Sequence, residues 1–314
     1  MESAEPGSSN EPQTEPPPEA PYKNLWMPLV VVPGLIVVVL VLVFLAFGGI
    51  AGREPSLEEN LQVMITGGKN ERTQAAFALS QKVSANSRAE LDGDPLPWPV
   101  PEDLAERVAA ALEGTDPTEY QTRFVLASLL AQLGEEGGVP ELIALLDIPE
   151  AEDPDRQLVF QVIVTLGTFG DARAVGPVVA FAGHEDQGLR SVVAIVLQML
   201  PGQEVAGTLE GLLADAELEV RANAAISLAK LGNPAGAGVL ASLLEPEIYA
   251  AENEQDARRF RSGEVVSRSR RKAVSALALL GRAEDRAGVE AYRDDPDLEF
   301  RGAVLDALDS WGSP

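Results

Sequence analysis

The sequence predicts an all-α chain: an α-solenoid of about seven helix pairs, preceded by one transmembrane helix and a short acidic tail. Three observations lead there. One helical pattern returns in the same register seven times after residue 53, which is how stacked repeats announce themselves. Hydrophobic residues make up 46% of the chain and aromatics only 5%, a balance that suits helices packed closely through small side chains. A stretch without any charged residue runs from Leu25 to Gly52.

Residues 1–24 hold five Glu and six Pro against a single Lys. Such a segment has no apolar surface to bury and is expected to be a disordered tail; it also lacks the basic start of a cleavable secretory signal. Residues 25–52 follow, bracketed by Lys23 and Arg53. At 1.5 Å per residue this run is long enough to cross a hydrocarbon core of about 30 Å, with Trp26 near one edge. The expectation is a single-pass anchor in the lipid bilayer. Lys23 lies on one side, and Arg53, Lys69 and Arg72 on the other, which favours a cytoplasmic repeat domain.

Residues 53–314 are the repeat domain, and its unit is clearest from Asp215 to Gly232, DAELEVRANAAISLAKLG. Asp215 is the expected N-cap, Glu217 and Glu219 sit where the helix dipole favours acids, and Gly232 ends the helix. Val220, Ala224, Leu228 and Leu231 form one apolar stripe that the helix cannot bury alone. Aligned on Arg221, small or aliphatic residues at +3 and +4 and Leu at +7 recur behind Arg72, Arg123, Arg190, Arg270 and Arg301. A seventh copy has Val159 in place of Arg. Glycine falls at +11 in five copies: Gly134, Gly170, Gly232, Gly281 and Gly312. The anchors are 51, 36, 31, 31, 49 and 31 residues apart, so the base period is 31. A shorter first helix precedes each anchor helix, its end marked at Phe181-Ala182, Leu212-Leu213 and Leu243-Leu244. The units run roughly over 56–85, 101–134, 138–170, 172–202, 203–232, 234–281 and 284–312, with insertions at 86–100 and 245–263.

The V-R-x-x-A-A-x-x-L-x-x-L-G form of Val220 to Gly232 resembles the second helix of HEAT repeats, in the short bacterial form called PBS-lyase HEAT-like repeats. That family spans scaffolds, adaptors and a few enzymes, so the resemblance implies an architecture more than a chemistry. It suggests a bilin-lyase-like enzyme or accessory subunit as one alternative. Against this stand the expected anchor and the absence of Cys or a His cluster. The family's deoxyhypusine hydroxylases use several His-Glu pairs as iron ligands; this chain has a single His, His184, beside Glu185. No catalytic residue, metal ligand or cofactor is assigned.

The remaining expectation is binding. With a formal charge of −25, nucleic acid is not a partner. The recurring Arg72, Arg123, Arg190, Arg221, Arg270 and Arg301 are read as structural, each holding carbonyls or the acids of a neighbouring unit, since Asp215, Asp295 and Glu264 recur six residues before an anchor. Function is sought where the period breaks. The insertion at 245–263 begins acidic and turns basic, and Arg258, Arg259, Phe260, Arg261, Arg268, Arg271 and Lys272 are candidate partner-binding residues. The insertion at 86–100, with Pro95, Pro97, Pro99 and Pro101, is expected to run extended around Trp98, either as a binding arm or folded back on the core. The function predicted is a non-enzymatic scaffold or adaptor that binds protein partners at the membrane. A regulatory or assembly subunit of a membrane complex is the alternative.

Overall fold

In five of the seven units the chain stops a helix with a left-handed glycine, and that stop marks the repeat. The computed structural model describes residues 54–250 and 263–311. The expected tail at 1–24, the expected membrane helix at 25–52, residues 251–262 and Gly312 lie outside the described residues. Gly134, Gly170, Gly232 and Gly281 have φ of 78°, 67°, 72° and 63°, a conformation open to glycine because it lacks a Cβ. At Gly232 the glycine amide donates to Ala229 O (2.9 Å) and the Asn233 amide to Leu228 O (2.8 Å), which satisfies two otherwise orphaned carbonyls. Gly134 and Glu135 repeat this pair on Ala131 O and Leu130 O.

Fourteen α-helices and short 3-10 turns, with no strand, make up the described residues. They are α1 (Leu57–Thr66), α2 (Lys69–Asp92), α3 (Leu104–Glu113), α4 (Tyr120–Gln132), α5 (Gly138–Ala144), α6 (Gln157–Phe169) and α7 (Val175–Val179). Then follow α8 (Gln187–Val196), α9 (Gln203–Leu212), α10 (Leu218–Lys230), α11 (Ala237–Ser242), α12 (Gly263–Leu280), α13 (Ala283–Glu290) and α14 (Leu298–Asp309). Odd and even helices pair into seven units. Even helices stack in one layer, α2 on α4, α4 on α6, α6 on α8, α8 on α10, α10 on α12 and α12 on α14; in the other layer α1 meets α3, α7 meets α9 and α11 meets α13. The expected solenoid of helix pairs is present. Among the described residues no helix is long and apolar enough to cross a membrane.

The register positions build the core. Ala76, Leu79, Val162, Leu166, Val193, Leu197, Ala224, Leu228, Ala273 and Leu277 are all 0–1% exposed, so the +3, +4 and +7 positions build the core, except at Leu305 in the last unit, which is 38% exposed. Small residues there let units approach closely. A Cβ added at Gly138 would come within 2.4 Å of Ala131 N, and one at Gly236 within 2.7 Å of Ala225 Cα, so backbone packs on backbone at these two joints.

Three local expectations are corrected. Leu231 is 44% exposed, because it is the C-cap and the chain turns away at Gly232 before the stripe is complete. Asp215 is not the N-cap: α10 begins at Leu218 behind Glu217, and Asp215 is held by an Arg of the preceding unit. The first insertion does not start extended at residue 86; α2 continues through Asp92 and stops at Gly93, φ 74°.

Candidate partner-binding face

The anchor arginines tie units together. Arg190 donates through Nε (2.7 Å) and Nη2 (3.0 Å) to the Asp215 carboxylate of the next unit, while its Nη1 reaches the His184 and Glu185 carbonyls of its own loop at 2.8 and 2.9 Å. The hydrogen-bonded guanidinium holds the Asp215 carboxyl below the usual Asp range, and the carboxylate raises Arg190 in turn. Arg270 repeats the arrangement, donating to Asp295 (2.7 Å) and to Leu244 O (2.8 Å), with its guanidinium 3.7 Å from the centre of the Phe300 ring. Arg123 binds Glu141 and the Thr115 carbonyl, and Arg72 binds both oxygens of Glu119. Arg221 holds the Asp215 and Ala216 carbonyls at 2.8 and 2.7 Å. Arg301 occupies the same position on α14 and is partly buried. Glu264 departs from the expected pattern: it pairs with Arg268 on the exposed side of α12.

Val159 breaks the register, and other residues take over. The buried Asp153 accepts from the amides of Leu158 and Val159, capping α6 from five and six residues upstream. Arg156, the one non-glycine residue with positive φ (51°) among those described, sends Nη1 to Ile148 O at 2.8 Å. The loop carbonyl is thus satisfied by an Arg three positions early.

His184 also has a local role. Its Nδ1 accepts from the Asp186 amide (3.0 Å) and its ring stacks on Phe181 with centroids 5.7 Å apart.

On the even-helix layer several residues at the +1, +5 and +9 positions are both apolar and exposed. Phe160, Val164, Ile195, Met199 and Leu279 are 39–47% exposed, and they form a ribbon across α6, the α8 end and α12, with Ile226 of α10 half-buried between them. Such runs are uncommon on a surface that meets only water. Where the ribbon crosses α8, α10 and α12 it lines a groove of about 520 Å3. Arg268, Arg271 and Lys272 of the predicted set line this groove together. Lys230 joins them, a residue outside the predicted set because it lies far from the insertion in sequence; its place at +9 on α10 is the signal the sequence holds. Arg258, Arg259, Phe260 and Arg261 lie outside the described residues.

Trp98 is elsewhere. It lies partly buried against α2, where Asn86 Nδ2 donates to Trp98 O (2.8 Å), the Trp98 amide donates to Asn86 Oδ1 (3.1 Å), and Lys82 Nζ sits 3.3 Å from the ring centre. The loop folds back on the core.

A family model described as HEAT repeats matches residues 148–229, the stretch from just before α6 to the end of α10. No curated protein matches the chain. Similar solved structures include the complex of CpcE and CpcF of phycocyanin lyase from Nostoc sp., at 17% identity, covering 82% of this chain and 96% of that one, with a TM-score of 0.44. Human deoxyhypusine hydroxylase in complex with glycerol is similar at 15% identity, covering 81% and 95%, TM-score 0.28. A designed armadillo repeat protein is similar at 16%, covering 82% and 100%, TM-score 0.32.

Proposed function

We propose that the protein is a non-enzymatic scaffold that displays its even-helix face to a protein partner at the membrane. The apolar ribbon of Phe160, Val164, Ile195, Met199 and Leu279 carries this reading, since these five large apolar side chains stand 39–47% exposed on one helix layer, where Ser275 and Asp306 hold the +5 position of the last two units. A preformed face costs little ordering on binding, which suits a solenoid to this work. Residues 25–52 tether it: the run has no charge and the length of a bilayer core. The tether raises the effective concentration of partners at the membrane surface, and the basic residues after the span set the repeat domain on the cytoplasmic side.

The test is a photoreactive residue in place of Met199 in the full chain, cross-linked in intact membranes. A discrete protein adduct that disappears with Ile195→Asp is expected. Cross-linking to lipid and water alone would remove the scaffold reading. Release of the full chain from membranes by alkaline carbonate would remove the tether.

A further inference from the structure

The groove across α8, α10 and α12 combines two properties that the rest of the even-helix face keeps apart. Its lining joins apolar Ile195, Ile226, Ala276 and Leu279 to the cations Lys230, Arg268, Arg271 and Lys272, with neutral Gln198, Asn223, Ser227 and Ser275 between them. Four positive side chains around one groove, in a chain of formal charge −25, form a strong local exception. Lys230 and Lys272 meet no carboxylate among the described residues. Arg268 and Arg271 pair with Glu264 and Glu299, whose side chains are 67% and 64% exposed. Exposed pairs of this kind are worth about 0–1 kcal/mol, so an incoming carboxylate can replace them.

We propose that this groove is the docking site for an acidic segment of a partner protein that places an aliphatic or aromatic side chain against the apolar part of the lining. The proposal rests on the scaffold reading and gives it a partner chemistry. Two features select a peptide over an anionic bilayer. The cations line a concave cleft together with apolar residues, and such a cleft receives an inserted side chain; a flat headgroup layer meets protruding ones. The acidic remainder of the chain opposes an extended anionic surface, whereas a short segment stays within about 8 Å of these cations, the screening length at physiological salt. The segment's carboxylates meet Lys230, Lys272 and the two arginines, and its apolar side chain covers Ile195, Ile226 and Leu279.

The experiment uses the full chain in detergent and a fluorescein-labelled peptide of Glu and Asp with one Leu and one Phe, followed by anisotropy. Two control peptides carry Gln and Asn for the acids, or Ser for Leu and Phe. Binding is expected for the first peptide only, weakening at least tenfold from low to physiological salt and by about tenfold in a Lys230→Ser/Lys272→Ser double variant. Ile195→Ser/Leu279→Ser should weaken it similarly while leaving the salt dependence in place. Equal binding by the lysine variant, or equal binding of the uncharged peptide, overturns the proposal. So does binding that is seen only after residues 251–262 are deleted, which would assign the groove to that segment. Capture of phosphatidylserine vesicles in place of the peptide, lost in the lysine variant, would assign it to lipid. The cross-link at Met199, outside the groove lining, separates the two readings. A protein adduct there with no peptide binding keeps the scaffold and removes the acidic ligand; neither result removes both.

Discussion

The first insertion and the helix that follows the second treat their polar groups in opposite ways. At 86–100 the extra chain is absorbed: α2 lengthens by several residues, Asn86 clamps both backbone groups of Trp98, and Lys82 caps the ring. On α12, after the second insertion, cations face outward. Tyr249 is drawn in, with its hydroxyl on Leu243 O at 2.9 Å, but Arg268, Arg271 and Lys272 line an open groove. A lapse in period therefore does not by itself mark function. What matters is whether the polar groups beside it find partners inside the fold.

The comparison presupposes one register for both regions, and Leu228→Asp attacks that directly. Leu228 is fully buried, and a charge there without a partner should cost more than about 4 kcal/mol and abolish cooperative unfolding by circular dichroism. A folded variant with normal melting would mean the helices stack otherwise. Next in size is Asn86→Ala, which leaves the Trp98 backbone groups without their partner. A loss of about 2 kcal/mol in urea unfolding is expected, with a red shift of Trp98 emission in a background lacking Trp26 and Trp311. Lys272→Ser, on the open side, should change stability by less than about 0.5 kcal/mol. Equal costs for the two would erase the contrast.

A smaller effect, about 1 kcal/mol, is expected for Asp215→Asn, which keeps the shape of the Arg190 joint and removes its charge. Because Asp215 is held below its ordinary value of 3.8 in the folded chain, its contribution is present above that pH and fades as the pH falls through the lowered value. The variant should therefore lose less stability than the parent on acidification below about pH 4. A second pH effect lies at the alkaline end. Burial pushes Tyr249 up to about 12 from 10.0, so its contribution is complete below pH 10 and is lost as the pH rises towards 12. Tyr249→Phe should flatten the stability profile across that window, as read from melting temperature against pH.

Much of the fold was legible because a solenoid writes each contact several times. The Gly at +11 marks a left-handed stop, and Leu at +7 marks the core, at one copy after another. Single events were not legible. Leu231 lay on the stripe by spacing, yet helix termination exposed it, and α10 stopping at Lys230 is a property of Gly232 and Asn233. The substitution at Val159 showed that something must replace the Arg, while Asp153 and the left-handed Arg156 became visible only in three dimensions. The groove was half legible. Three of its four cations sit together in sequence, but Lys230 is brought to them by the packing of α10 on α12.

The joint between α6 and α8 lacks the arginine–carboxylate pair that Arg72, Arg123, Arg190 and Arg270 make with the next unit, and this has a mechanical meaning. Among the described residues no ion pair spans it; the contact is apolar, with Val196 set so closely on Gly167 that a Cβ there would collide. Ion pairs and their hydrogen bonds hold a direction, whereas apolar side chains resist separation but slide past one another at lower cost. When the array is bent or twisted by a load on its face, this joint should yield more readily than those pinned by an ion pair. Phe160 and Val164 lie on one side of it and Ile195 on the other, so the apolar ribbon is cut at a compliant joint, and its two parts can adjust their angle to a partner.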